Sequence, residues 1–398
     1  MTHGRLRDDA TGLPEDALAP LDESSARSRT RGEACDNDVQ AAMCRQRCAG
    51  SGGDGVKVTV LGVPNSAGAY CVGVERAPAA LREAGLLEAL AGGERDASVG
   101  GERDAAEGGG PVVVNDVIDA GDLTTRLWAP DPGNRYAQNL DDEVEAMREL
   151  AEVAAGLLSQ GEQEGKQQGE QEGEQQGERQ GERLLVLGGS CTVALGMCAA
   201  VVQRGERPRV IYIDRHLDLN TPRSTTEGSF SWMGMAHALG LQGAAPQLAG
   251  ATGQSPLLQP SDLVYLGVEL TEVTAWERSR VRDLGITVVL QAELVGNPGR
   301  AARSAMAALT PGPFFVHVDV DVLDFINAPL AENVNGRNSG PTLAELGVAL
   351  AELMQNADCR GMSLGQLVPA HARADPTAIP RIVQVLATAF TGARLTVE

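Results

Sequence analysis

Two runs of β-forming residues end in the same way, and that shared ending limits what the chain can fold into. Residues 210–213 (VIYI) lead into Asp214, His216 and Asp218, with Asn220 and Thr221 following. Further on, residues 314–318 (FFVHV) lead into Asp319, Asp321 and Asp324. Side chains two apart on an extended chain point the same way. Each set is therefore expected to converge on one side, at the C-terminal end of a strand, where open α/β sheets hold their ligands. Carboxylates and an imidazole delivered together call for cations. A single D-x-H-x-D segment is weak evidence, because a solvated turn accounts for it. Two such endings after two apolar runs are strong evidence.

The rest of the chain alternates strand-like and helix-like segments. Strands are expected at 56–64, 112–118, 184–187, 263–268, 286–290 and 361–367, besides the two above, with helices between them, the first over 79–90. That alternation predicts an α/β fold in which a mainly parallel sheet is covered on both faces. Residues 1–55 have no hydrophobic periodicity and read as a disordered leader, so the folded domain spans 56–398. Two low-complexity inserts interrupt it. One, at about 92–110, contains GGERDA twice, a unit too short to bury anything. In the other, at 161–183, glycine recurs every fourth residue among Glu and Gln. At about 1 kcal/mol per glycine that spacing opposes a helix, and the preceding helix is expected to end near Leu158.

Composition excludes several classes. The net charge of -21 argues against nucleic acid or an anionic membrane as partner. No apolar stretch approaches the ~18 residues of a transmembrane helix. The first residues carry Asp8, Asp9 and Glu15 without an apolar stretch, against a secretory or transit peptide. The seven cysteines have no disulfide-framework spacing, so a reducing, cytoplasmic setting fits, with an organellar one open. Cys44 and Cys48 lack further zinc ligands nearby and read as thiols of a flexible arm.

Taken in order, Gly188-Gly189-Ser190-Cys191, then Asp214 to Pro222 (DRHLDLNTP), then Asp319 to Asp324 (DVDVLD) resemble the arginase/agmatinase (ureohydrolase) family. The similarity covers 56–395 outside the inserts and includes GVERAP, the Asp119–Asp122 turn and RYAQNL. Within the family it is nearest a divergent, arginase-like branch, in which WMGMAH (232–237) and DFINAPLAEN (324–333) replace better-known segments. The resemblance implies a three-layer α/β/α fold, two Mn²⁺ per chain, hydrolysis of a guanidino or related amidino C–N bond, and homo-oligomers. It also implies that Asp214 and Asp319 touch both metals, that Cys191 and Asp218 complete one ion, and that His216 and Asp321 complete the other. Asn220 and Ser229 would hold the polar end of the substrate. Manganese suits such oxygen and imidazole donors.

Four positions depart from the family pattern. Cys191 stands where a histidine ligand is usual, either as a thiolate that biases the site toward zinc or iron or as a small buried thiol. Ser190 replaces an aspartate. Met233 stands at the proton-shuttling histidine, leaving His237, one turn on, as shuttle or as surface histidine. Gln366 replaces the glutamate that pairs the guanidinium. Three further readings concern the same edge: His317 as a core or supporting histidine, His371 at the site's edge, and Gly188-Gly189 as a weak phosphate cradle. Two alternatives to a hydrolase of guanidino compounds stay open. One is a non-catalytic metal-binding relative serving as a structural or regulatory subunit. The other is a metal-dependent deacylase, which generally needs a His-His pair absent from this sequence.

Overall fold

The structure, a computed structural model, describes residues 56–92, 114–172, 182–332 and 338–392. The expected leader, most of the first insert and residues 173–181 of the second lie outside the described residues. Eight runs rich in Val, Ile, Leu and Tyr form strands, because such side chains fit a pleated, buried surface. They are β1 (Val56–Gly62), β2 (Val114–Asp122), β3 (Arg183–Leu187), β4 (Val210–Ile213), β5 (Leu263–Val268), β6 (Thr287–Leu290), β7 (Phe314–Asp319) and β8 (Cys359–Gly365). Between and after them run α1 (Ala77–Glu83), α2 (Leu86–Leu90), α3 (Leu140–Glu172), α4 (Val193–Gln203), α5 (Gly234–Ala238) and α6 (Pro246–Ala249). The later helices are α7 (Ala275–Leu284), α8 (Gln291–Gly296), α9 (Pro298–Ala308), α10 (Leu343–Met354) and α11 (Ala378–Thr391).

The strands form one sheet in the order β2-β1-β3-β8-β7-β4-β5-β6, and every pairing is parallel. From β3 to β6 the chain steps one way across the sheet; from β6 to β8 it steps back. Right-handed crossovers put the helices of these two journeys on opposite faces. Two separate cores follow. One packs Val58, Leu185, Ile211, Val316 and Met362 against Leu81, Ala302, Leu350 and Ile382 of α1, α9, α10 and α11. The other packs Tyr212 and Tyr265 against Met147, Leu195, Cys198 and Met235 of α3, α4 and α5. Ile211 and its neighbour Tyr212 enter opposite cores, as the two-residue period of a strand requires. The fold is the three-layer α/β/α expected.

This topology also fixes where a site can form. β3 and β8 are neighbours whose following helices, α4 and α11, lie on opposite faces; so are β4 and β7, followed by α5 and α10. At such switch points the connections diverge and open a crevice beyond the strands' carboxyl ends. Cys191 follows β3, Asp214 follows β4, Asp319 closes β7 and Gln366 follows β8.

Three local expectations change. α3 continues past Leu158 through Gly161, Gly165 and Gly169 to Glu172. Glu, Gln and Lys are good helix formers, and extending a helix already anchored by buried Val144, Met147 and Leu157 needs no new nucleus. The helix expected over 79–90 breaks at Gly85, whose φ of 83° is left-handed, into α1 and α2. β2 runs on to Asp122, and Arg82 ties its end down, Nε to Asp119 at 2.9 Å and Nη1 to Asp122 at 2.6 Å.

Candidate metal centre

Each strand-end motif turns its own chain. Asp214 Oδ1 accepts the His216 N–H at 2.7 Å, and Asp319 Oδ1 accepts the Asp321 N–H at 2.8 Å. An aspartate bonding the amide two residues on mimics a backbone turn. The side chains therefore do not converge through strand alternation, as the extended-chain reading expects. β4 has ended at Ile213, and residues 320–322 form a 3₁₀ turn. The third member, Asp218, has a left-handed φ of 51°. Its carbonyl accepts the Met235 and Ala236 N–H groups at the start of α5, and its Oδ2 accepts the Tyr212 hydroxyl from inside β4. Asp324 is not part of the cluster's hydrogen bonding: its Oδ1 accepts the Ile326 N–H at 2.8 Å and serves the next turn.

Cys191 reaches the same place through the two glycines before it. A Cβ on Gly189 would lie 1.9 Å from the Asn65 carbonyl oxygen, and one on Gly188 would lie 2.6 Å from that of Leu364. The Gly188 N–H donates to Leu364 and the Ser190 N–H to Asn65. Those amides are committed within the fold, so the phosphate-cradle reading falls away and close packing explains the glycines. The Cys191 thiol then donates to Asp319 Oδ2 at 3.0 Å.

The result is two triads, Cys191–Asp218–Asp319 and Asp214–His216–Asp321, with ligand atoms within 4.8 Å of one another in each. The first is wholly buried. The second opens toward solvent at His216, whose Nδ1 lies 3.3 Å from Asp214 Oδ1 and 3.1 Å from Asp321 Oδ2. Burial, then the neighbouring Asp321, pushes the Asp214 carboxyl up to about 6. Burial, then the other carboxylates, holds Asp218 and Asp319 well above the carboxylate range and the Cys191 thiol well above 9. Burial alone would lower His216, but Asp321 and Asp214 outweigh it and raise the imidazole well above 6.5. This is the electrostatics of acids gathered out of water without enough positive charge. Asp214 Oδ2 is also buried with no hydrogen-bond donor among the described residues. The donor set of four carboxylates, one imidazole and one thiol fits two divalent cations.

The residues around the triads differ more from expectation. Ser229 Oγ donates to the Gly68 carbonyl at 2.8 Å, tying its loop to the one after β1. Asn220 Oδ1 accepts from Ser224 at 3.2 Å, while its buried Nδ2 finds no acceptor among the described residues. Gln366 has a left-handed φ of 62°, donates its N–H to the Gly189 carbonyl at 2.7 Å, and keeps a buried Oε1 without a donor among the described residues. His237 is not a surface histidine. It is fully buried; its Nδ1–H donates to the Met233 carbonyl at 2.8 Å and its Nε2 accepts the Ala245 N–H at 3.0 Å. Burial pushes it down to about 4, so it stays neutral and fastens α5 to the loop that follows.

His317 is a buried supporting histidine, stacked 4.5 Å from the Tyr212 ring with Nδ1 2.9 Å from Ser363 Oγ. Arg215 is buried and donates to the Ser339 carbonyl at 2.8 Å. His371 lines a cavity of about 440 Å³ together with Glu332. Glu332 escaped the sequence reading. It stands within the DFINAPLAEN segment, but nothing in its local pattern marks it, and only the pairing with residues 366–368 brings it to this edge.

The sequence is similar to those of curated arginases. Arginase-1 of Sus scrofa is 28% identical over 272 residues, covering 67% of this chain and 71% of that one. The arginase of Bacillus caldovelox is 28% identical over 280 residues, covering 68% and 78%. In solved structures the fold is similar to that of the Bacillus caldovelox arginase, with TM-score 0.64, 24% identity and 85% and 99% of the two chains covered. It is also similar to the formimidoylglutamase of Bacillus subtilis, with TM-score 0.60, 17% identity and 86% and 88% covered. Among the described residues no helix is long and apolar enough to cross a membrane. The Arginase family model matches residues 56–397, all eight strands included, and this chain belongs to that family.

Proposed function

We propose that the chain is a hydrolase of the ureohydrolase type that binds two manganese ions and cleaves a guanidino or related amidino C–N bond. The observation that carries this reading is the pair of three-residue clusters at the strand ends beside the two switch points. Asp214, His216 and Asp321 would hold one ion, and Cys191, Asp218 and Asp319 the other. When bound, such ions supply Lewis acidity that activates water near neutral pH.

The protein's own groups do the rest. The Tyr212 hydroxyl fixes Asp218, and the amides of His216 and Asp321 fix Asp214 and Asp319, so the ligands are held before anything binds. Asn220 Nδ2 and Gln366 Oε1, which meet no partner among the described residues, offer one donor and one acceptor to a polar substrate. Proton transfer is the weak part. Met233 cannot titrate and His237 is committed to main chain, so turnover is expected below that of arginases with a free histidine there. The same two residues favour the second reading, a relative that keeps its metals without catalysis.

One experiment separates the readings: metal analysis of manganese-supplemented protein, paired with urea release from arginine, agmatine and guanidino acids. Two ions per chain with urea formed is the expected result. Two ions without urea from any of them selects the non-catalytic relative. One ion or none in folded protein sinks the binuclear centre.

A further inference from the structure

Cys191 is bracketed by two contacts that lead to one carboxylate. On one side of it, the Ser190 N–H donates to the Asn65 carbonyl at 3.1 Å, and the side-chain amide of Asn65 donates to Glu143 Oε2 at 3.0 Å. On the other side, the Thr192 hydroxyl donates to the same carboxylate, and the Gly68 N–H supplies a third donor. Glu143 is 1% exposed and stands in the first turn of α3, where the positive end of the helix favours an acid. Burial, the largest influence, raises its pKa, while the bonds from Thr192, Asn65 and Gly68 and the charge of Arg126 oppose that rise. Three donors converging on one point need a group that accepts without donating, as a carboxylate does.

The chain around this node is packed too closely to slide. A Cβ on Gly68 would lie 2.7 Å from Glu143 Oε2, and one on Gly189 would lie 1.9 Å from the Asn65 carbonyl oxygen. One on Gly196, in the helix that follows Cys191, would lie 2.5 Å from the Leu150 side chain of α3. A cysteine side chain has one rotatable bond and a few staggered positions, so the backbone at 190 and 192 decides where its sulfur reaches. Here it reaches Asp319 Oδ2 at 3.0 Å. The same carboxylate also steadies the loop after β1, whose Gly68 carbonyl accepts Ser229 Oγ and the Ser231 N–H, both at 2.8 Å.

We propose that Glu143 is a positioning residue for the buried cluster: through Asn65 and Thr192 it holds residues 190–192 so that the Cys191 sulfur stays beside Asp218 and Asp319, ready to share an ion with them. The proposal rests on the reading of that cluster as a cation site, and not on turnover. Groups that orient metal ligands from behind contribute about 10- to 100-fold in metal affinity. The open cluster of Asp214, His216 and Asp321 is fixed by its own aspartate turn and lies outside the bonds of Glu143. Glu143 therefore serves one ion and not the other.

The test is a cobalt(II) titration of the full chain, because a cysteine thiolate on cobalt gives a sulfur-to-metal charge-transfer band in the near ultraviolet. Of the cluster residues only Cys191 is a thiol, so the band reports the buried cluster, and total cobalt retained after dialysis reports both. Wild type should bind two ions and show the band. Glu143→Gln keeps the shape but turns an amide donor toward the three donors. It should weaken the ion that carries the band about 10- to 100-fold and leave the other ion at wild-type strength. Thr192→Val removes one donor and should weaken the same ion by about tenfold, and Thr192→Ser should restore it. Wild type with bound cobalt and no band overturns the proposal whether or not the variants fold. So does a wild-type titration of the band in either folded variant, Glu143→Gln or Thr192→Val. Equal weakening of both ions overturns it too, since a residue that only stabilises the fold would act on both. The band is read without substrate, so a protein that behaves as expected yet releases no urea keeps the positioning role and loses the hydrolase reading. A chain that releases urea without the band does the reverse.

Discussion

The ends of β4 and β7 and the rim around them are built by different rules. At the strand ends, Asp214, His216, Asp319 and Asp321 lie two apart in sequence, and the first aspartate of each pair bonds the amide of the second. The donor set and the turn that displays it are one short piece of chain. In the rim, Gln366 and Glu332 come from segments after β8 and after β7, and meet only because residues 330–332 pair with residues 366–368. A change in a strand-end aspartate removes both a ligand and a turn. A change in the rim leaves the turns intact. On the reading proposed above, that difference accounts for a chain in which the resemblance keeps the expected ligand types at five positions and departs at Cys191, Ser190, Met233 and Gln366.

Replacing Asp319 with alanine is the most severe way to test that account. Asp319 Oδ1 holds the Asp321 amide and its Oδ2 takes the Cys191 thiol, so it serves both triads. The variant is expected to retain each of the two ions more than about 100-fold less well, the upper end of what a supporting group alone contributes. Metal analysis after dialysis checks it. An Asp319→Ala protein that keeps one ion at wild-type strength would show the two clusters to be independent.

His237 tests what a buried residue outside both clusters contributes. Its pKa is about 4 in the folded chain against 6.5 unfolded, because burial disfavours the charged ring. As pH falls through about 6.5 the unfolded chain takes up a proton that the folded chain refuses until about 4. Stability is therefore full above 6.5 and is lost across that window, by roughly 3 kcal/mol for this group. His317, pushed down to about 3, adds to the same trend. Denaturant unfolding of His237→Gln between pH 7.5 and 4.5 should fall less steeply than wild type. The pH profile of any urea release should stay as it was. A changed profile in a stable variant would restore His237 as a shuttle.

The same contrast governs what the sequence disclosed. Both strand-end clusters, the alternating strands and the three-layer fold were legible because each is written within a few residues: an apolar run, then acids at fixed spacing. The manner of convergence was not, since an Asx turn and an extended strand place the same letters two apart. Glu332 was hidden because its meaning depends on pairing with residues 366–368, more than thirty positions away. The burial of His237 was hidden because a lone histidine near a helix start carries no mark of what its two nitrogens will meet. The length of α3 was misjudged because glycine's cost counts against nucleating a helix more than against prolonging one.

The smallest expected effect concerns Cys191, where strand end and rim meet. Its sulfur is packed tightly: a Cβ on Gly365 would lie 2.8 Å from it, so a larger side chain would strain the site, whereas serine keeps the shape. If the thiolate ligates, Cys191→Ser exchanges a soft donor for a hard one and should move the preference between zinc and manganese toward manganese, by roughly tenfold. A second signature follows from the thiol's raised pKa. Binding at the buried triad must release the Cys191 proton, so its affinity should climb with pH in wild type, and that dependence should weaken in the serine variant. Competitive loading with both metals at pH 6.5 and 8.5 reads the two effects together. An unchanged preference and an unchanged pH slope would make Cys191 a packing residue. The buried triad would then rest on Asp218 and Asp319 alone, and of the two clusters only the open one would hold its ion through three protein ligands.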